Sequence, residues 1–180
     1  MMNNTDNRFT LYKRFSGKGA VYLMSGLDRT NPDYNDLISI ACFWAKQGRT
    51  VKVFSPLHYK DPGYRDVFGS LIGTMYYRKC PDLLVDNEYY EYESYVRPFK
   101  SMKISHMIKR GADQSDRIII DNNKGASDRY IINMVMKRIN DKSFRREILE
   151  LYVYEKGEVR LLYHKKKAVG SLGSPRGTNP

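Results

Sequence analysis

Three carboxylates fall close together in one short stretch of the chain. Asp82 stands at the start of an apolar triplet, and Glu91 and Glu93 lie two residues apart in the tyrosine-rich run that follows. Residues two apart on a strand point to the same face, and a hairpin around residues 86–87 brings them toward Asp82. Clustered carboxylate oxygens suit Mg²⁺ or Mn²⁺, which orient a phosphodiester and activate water. We therefore predict that Asp82, Glu91 and Glu93 form a metal-dependent catalytic site. The alternative is a set of solvated hairpin carboxylates.

The elements that position these carboxylates follow from hydrophobic periodicity and from Gly and Pro breakers. They predict one α/β domain over residues 1–163, with a central mixed β-sheet flanked by helices, and a basic, disordered tail over residues 164–180. The expected strands are residues 8–15, 20–24, 50–54, 82–85, 89–95, 117–121, 147–154 and 159–163. The expected helices are residues 33–46, 99–112 and 127–140, and residues 61–78 are expected to form a helix interrupted by glycines.

The charge of the chain indicates the chemistry of its partner. Thirty-one Lys and Arg against 20 Asp and Glu give a net charge of +11, and there are 15 tyrosines. A basic surface attracts phosphates, and tyrosines offer stacking surface for bases. The alternative is a basic but inert surface. No apolar run is long enough to span a membrane, the first residues lack an apolar signal core, and two cysteines cannot form a disulfide framework. The expected location is the cytoplasm.

The helix expected over residues 99–112 carries most of the candidate nucleic-acid contacts. Lys103 and Arg110 are seven residues apart and share a face, and Lys100 lies one turn before Lys103. We predict that these three residues and Lys109 contact phosphates. A competing hypothesis assigns acid–base chemistry to His106 in a metal-free ribonuclease.

The order of these motifs resembles the PD-(D/E)XK nuclease superfamily, in particular the tRNA-cleaving toxin domains of bacterial contact-dependent inhibition systems. The resemblance covers roughly residues 35–154: a first helix ending at Gly48, a strand, the hairpin of residues 81–93, a basic helix, and the segment of residues 109–121. It implies a PD-(D/E)XK-like fold, Mg²⁺ or Mn²⁺ as cofactor with Asp82 and Glu91 as the metal ligands, and tRNA or other RNA as substrate. It also implies an immunity-type protein partner and a structural or substrate-facing role for Gln114.

Two positions depart from the pattern of the superfamily. Its motif lysine is replaced by Glu93, and the glutamate of its first helix falls near Ser39, with Asp36 as the closest acid. Lys100 or Lys103 is then the expected source of the missing positive charge. Two functions follow: a metal-dependent RNA nuclease, or a catalytically inactive relative that binds nucleic acid or a protein through its basic face.

Overall fold

Eight strands pair in chain order into a single mixed β-sheet in the computed structural model, which describes residues 7–95, 102–123 and 125–165. The strands are β1 (Phe9–Arg14), β2 (Ala20–Met24), β3 (Thr50–Val53), β4 (Leu83–Val85), β5 (Glu88–Glu93), β6 (Arg117–Asp121), β7 (Glu150–Glu155) and β8 (Glu158–His164). The helices are α1 (Tyr34–Lys46), α2 (Tyr64–Phe68), α3 (Met102–Gln114) and α4 (Asp128–Ile139), and a 3-10 turn (Gly69–Leu71) follows α2.

The directions of the strands follow from what connects them. Three tight connections give the antiparallel pairs β1–β2, β4–β5 and β7–β8, and β3 and β4 are also antiparallel. The parallel pairs β2–β3, β5–β6 and β6–β7 are each joined through a helix, α1, α3 and α4 respectively. Parallel neighbours need such crossovers. The predicted α/β domain with a mixed sheet is therefore confirmed.

Helix α1 covers one face of the sheet. Its buried stripe includes Leu37, Ile40 and Trp44, which share a cluster with side chains of the inner strands. The Trp44 ring lies 4.8 Å from that of Tyr90 and 5.6 Å from that of Tyr152. The even-numbered tyrosines of β5 thus face α1, and the odd-numbered glutamates point to the other face.

The opposite face carries two clusters. Helices α3 and α4 pack over β6 and β7 through Ile108, Val135 and Ile118, among others. The α2 segment packs over β3 and β4 around Phe54 and Phe68. The acidic side chains of the β4–β5 hairpin lie on this face, where α3 passes β5.

Helix α3 differs from its sequence-based prediction at its carboxyl end. The sequence predicts a helix over residues 99–112 that ends near Gly111, but the helix continues through Gln114. Gly111 is a packing residue, because a Cβ there would stand 2.6 Å from Ile118 Cγ2. The glycine therefore permits close approach of α3 to β6, and the extra turn brings Gln114 to the sheet. Helix α4 is capped by Ser127, whose Oγ accepts a hydrogen bond from the Tyr130 N–H over 3.3 Å.

Several expectations fall outside the described residues: Lys100, the amino-terminal part of the basic helix, and the tail from residue 166 onward. Within the described part, β8 runs through His164, one residue past the expected domain end. No helix in the described ranges has the length and apolar character needed to cross a membrane.

Candidate functional site

The three predicted carboxylates meet in one cleft of about 570 Å³ between the β4–β5 hairpin and α3. Leu83 pairs with Tyr90, so Asp82, one residue before β4, stands beside Glu91 on β5. Glu93 lies two residues further along the same face of β5. The hairpin therefore positions the carboxylates as the strand alternation predicted.

Asp82 is held by the backbone of the neighbouring strand. The Tyr92 N–H donates to Asp82 Oδ2 over 2.9 Å. Burial raises the pKa of the Asp82 carboxyl to about 7, although the Tyr92 N–H opposes this shift; the negative charge of Asp33 adds to it. At neutral pH Asp82 is thus poised between its protonated and ionised forms.

Glu91 has an unpaired carboxyl oxygen. Its Oε2 is buried and has no hydrogen-bond partner within the described part of the chain. Burial raises the pKa of Glu91 well above its usual range, and the charges of Asp82 and Glu93 raise it further. A buried acceptor without a donor is costly, so this oxygen favours either a proton or a bound cation.

Glu93 is engaged by an arginine of α3. It is 7% exposed, and its Oε2 accepts a hydrogen bond from Arg110 Nη2, which also contacts the Ser94 carbonyl oxygen. Burial raises the pKa of Glu93 to about 7 even though Arg110 acts in the opposite direction. Glu93 therefore lies in an ion pair on the cleft wall.

Asp33 and Lys79 are among the cleft residues that were not singled out from the sequence. Asp33, just before α1, accepts a hydrogen bond from Ser94 Oγ over 2.5 Å and lines the cleft. Lys79, three residues before Asp82, also lines it. In the sequence, Asp33 stands only as part of a helix-start signal. For Lys79, proximity in sequence to Asp82 was the one available signal.

Of the remaining predicted residues, Gln114 lines the cleft, whereas Lys103 and Lys109 are not among the described residues that line it. Gln114 lines the cleft at the end of α3, as does Asp113, which is paired with Arg146 over 3.1 Å. Lys103 is half-buried and Lys109 is exposed on α3, and neither is among the described residues that line the cleft.

Asp36, the acid closest to Ser39 on the first helix, lies among the side chains on the α1 face. Its Oδ2 accepts a hydrogen bond from Tyr92 Oη over 2.9 Å. The acid that α1 brings to the cleft comes from the residue just before the helix, Asp33, because the amino end of α1 points to this edge of the sheet.

Asp82 and Glu91 are the cleft residues that could hold a hard divalent cation. Five acidic residues line the cleft, and the cations that line it within the described part of the chain are Lys79 and Arg110, so a phosphate could approach only with additional positive charge. Within residues 7–95, 102–123 and 125–165, no group of three or more His, Cys, Asp or Glu is arranged to enclose a metal. Mg²⁺ commonly binds through one or two carboxylates with water and substrate phosphates as the other ligands, which is what Asp82 and Glu91 offer.

Comparisons of the chain with known protein families, curated proteins and solved structures returned no match.

Proposed function

We propose that this protein is a metal-dependent nuclease that cleaves phosphodiester bonds in RNA. The observation that carries the proposal is the buried pair of Asp82 and Glu91, in which Glu91 Oε2 has no partner in the described part of the chain. A pair of buried carboxyls with raised pKa values is stable in ionised form only with a cation beside it. The resemblance noted in the sequence favours tRNA among RNA substrates.

Asp82 and Glu91 would hold Mg²⁺ or Mn²⁺. When bound, the ion orients the phosphodiester, stabilises charge on its oxygens and lowers the pKa of water. The Tyr92 N–H fixes the orientation of the Asp82 carboxyl. Lys79 and Arg110 supply positive charge at the cleft wall, where the phosphate would pass, and Gln114 offers an amide to the substrate.

The same arrangement supports a PD-(D/E)XK-like fold as a proposal. An aspartate precedes β4, an acidic residue lies on β5, and β5 continues through the crossover helix α3 into the parallel strand β6. Lys79 supplies the positive charge that the sequence analysis expected from Lys100 or Lys103, because it lines the cleft from the segment before the hairpin.

The test is cleavage of tRNA, other RNA and DNA in the presence of Mg²⁺ or Mn²⁺, with metal binding measured by calorimetry. Asp82→Asn and Glu91→Gln should abolish both cleavage and metal binding while keeping the shape of the side chains. Glu158→Gln is the matched control, because it removes one carboxylate in the exposed β7–β8 turn. Absence of cleavage of every substrate, together with absence of metal binding, would contradict the proposal.

A second candidate is a catalytically inactive protein that binds nucleic acid or a protein partner, an immunity-type partner included. The observation that favours it is the ion pair between Arg110 and Glu93. Glu93 stands where the resembled motif has a lysine, and its charge is neutralised by Arg110. Salt-sensitive RNA binding without divalent-metal binding at Asp82 and Glu91 would select this candidate.

A further inference from the structure

A stack of aromatic and cationic side chains lies on the loop between β3 and α2 and on the segment before β4. The Arg78 guanidinium lies 4.8 Å from the Tyr59 ring centre and 5.5 Å from that of Tyr77. The rings of His58 and Tyr59 are 4.5 Å apart, and the Lys60 ammonium is 5.9 Å from the Tyr59 ring. We call these five residues, 58–60 and 77–78, the stacked patch.

The patch is fixed to the core of the domain. Tyr59 and Tyr77 are partly buried against the α2 cluster. The Leu57 N–H donates to Cys80 Sγ over 3.2 Å, which joins the two segments that carry the patch. Arg78 has a φ of +71°, a conformation that a non-glycine residue adopts only when its surroundings enforce it. The stack is thus pre-organised on a rigid support.

The cations of the patch form no ion pair among the described residues. Among the described ion pairs, those of Arg49, Arg117 and Arg160 each involve an Asp or Glu, whereas none involves Lys60 or Arg78. His58, Lys60 and Arg78 are exposed. The neighbouring Asp61 uses Oδ1 to accept a hydrogen bond from the Gly63 N–H.

The patch borders the carboxylate cleft. Arg78 is followed by Lys79, which lines the cleft, and three residues further along the chain is Asp82. The Tyr64 hydroxyl donates to the Lys79 carbonyl oxygen over 2.7 Å and so fixes the backbone at this border. A strand lying on the patch would therefore pass next to Lys79, which is part of the cleft lining.

We propose that the stacked patch binds an unpaired RNA strand and directs it into the cleft. This inference rests on the proposed function for the choice of RNA. Arg78 and Lys60 hold phosphates, and unpaired bases stack on the exposed planar groups of His58 and Arg78, which Tyr59 supports from below. Bases in a duplex are already stacked on each other and cannot use such a platform, so the patch selects loops and single strands.

The test is the binding of a short fluorescent RNA without secondary structure, measured by anisotropy across a range of salt concentrations in EDTA. Arg78→Asn removes the charge with a residue that tolerates positive φ, and it should weaken binding and reduce the slope of log affinity against log salt by about 0.7 for the lost phosphate contact. Tyr59→Leu keeps the apolar packing but removes the ring against which Arg78 and His58 lie, and it should weaken binding by about two- to fivefold with the slope unchanged.

Lys46→Gln is the matched charge control. It removes one exposed cation at the far end of α1, on the other face of the sheet. It should change the RNA affinity and the salt slope much less than the patch variants do. Wild-type affinity in both patch variants, or absence of RNA binding by the wild type, would overturn the inference. Equal affinity for the same RNA annealed to its complement, or tighter binding of DNA of the same sequence, would overturn the choice of an unpaired RNA strand.

The outcomes separate this inference from the proposed nuclease activity. Binding that depends on the patch without any cleavage would support the patch and contradict the enzyme. Cleavage abolished by Asp82→Asn but unaffected, in rate and in RNA affinity, by Arg78→Asn and Tyr59→Leu would support the enzyme and contradict the patch.

Discussion

At the scale of single residues, the cleft combines groups that are costly to bury with few partners inside the protein. Glu91 is the clearest case, since one of its oxygens is buried without a donor in the described part of the chain. Function and stability therefore oppose each other at this position. Natural proteins commonly keep such residues where a ligand supplies the missing interaction.

We expect Glu91→Gln to stabilise the protein in EDTA at pH 8. The neutral amide avoids the cost of an ionised carboxyl beside Asp82 and Glu93, and its NH₂ group can donate to them. A gain of 1 kcal/mol corresponds to a rise of about 2–4 °C in the unfolding temperature of a chain of this size. Thermal unfolding should show the rise in EDTA and its loss or reversal in Mg²⁺. An unfolding temperature below that of the wild type in EDTA would contradict the account.

Arg110→Ala tests the ion pair on the cleft wall. Glu93 is buried and would lose its only cationic partner among the described ion pairs, so we expect a loss of about 1–3 kcal/mol in the free energy of unfolding at pH 8. The loss should shrink at pH 5, where Glu93 takes up a proton. Urea unfolding at the two pH values measures this difference.

The double variant Arg110→Ala with Glu93→Gln is the control for that prediction. Once the carboxylate is neutral, removal of the arginine should cost much less, and the two substitutions should be strongly non-additive. Additive losses would show that Arg110 stabilises α3 in some way other than through Glu93.

At the scale of elements, the contact between α3 and β6 depends on a missing side chain. Alanine usually stabilises the interior of a helix relative to glycine by about 0.5–1 kcal/mol. At residue 111 the sign should reverse, because a Cβ would stand 2.6 Å from the buried Ile118 side chain. We expect Gly111→Ala to destabilise the protein by about 1–3 kcal/mol, as overpacking of a core does.

Gly69→Ala is the matched control for the helix contact. Gly69 has helical backbone angles at the end of α2, and a Cβ there would meet nothing within 4 Å. Its replacement should be neutral or stabilising in the same urea experiment. Equal effects at positions 69 and 111 would show that the approach of α3 to β6 is looser than the contact distance indicates.

At the scale of the whole molecule, the carboxyl cluster should shape the dependence of stability on pH. Asp82 and Glu93 have folded-state pKa values of about 7, and their unfolded values are near 4. Between these values the folded state binds more protons than the unfolded state. The contribution of these two groups to the free energy of unfolding in EDTA should therefore be fully present below about pH 4. It should decrease as the pH rises to about 7.

Urea unfolding between pH 4 and pH 8 measures this slope. Mg²⁺ or Mn²⁺ should restore stability at pH 8, where the carboxyls are ionised, and should have little effect at pH 5. In the variant Asp82→Asn the free energy of unfolding should decrease less as the pH rises. Stability that rises from pH 5 to pH 8 in EDTA and is the same in Asp82→Asn would contradict the burial of these carboxyls.

Much of the architecture follows from local sequence patterns. The alternation in residues 90–93 places Tyr90 and Tyr92 on one face of β5 and Glu91 and Glu93 on the other, and it depends only on the period of a strand. The pairing of β4 with β5 then brings Asp82 to the face of the two glutamates. The apolar run of residues 117–121 likewise predicted a buried strand, and β6 has parallel neighbours on both sides.

What the tertiary structure decided is which distant residues complete the site. Asp33 reaches the cleft because the amino end of α1 meets the same edge of the sheet as the hairpin, while Asp36, one turn later, is directed to Tyr92 on the other face. Gly111 is typical of a helix end in sequence, and only the approach of Ile118 makes it a packing residue. Periodicity reports how one element presents its own side chains. The contacts between elements depend on packing across the sheet, which residues far apart in the chain determine together.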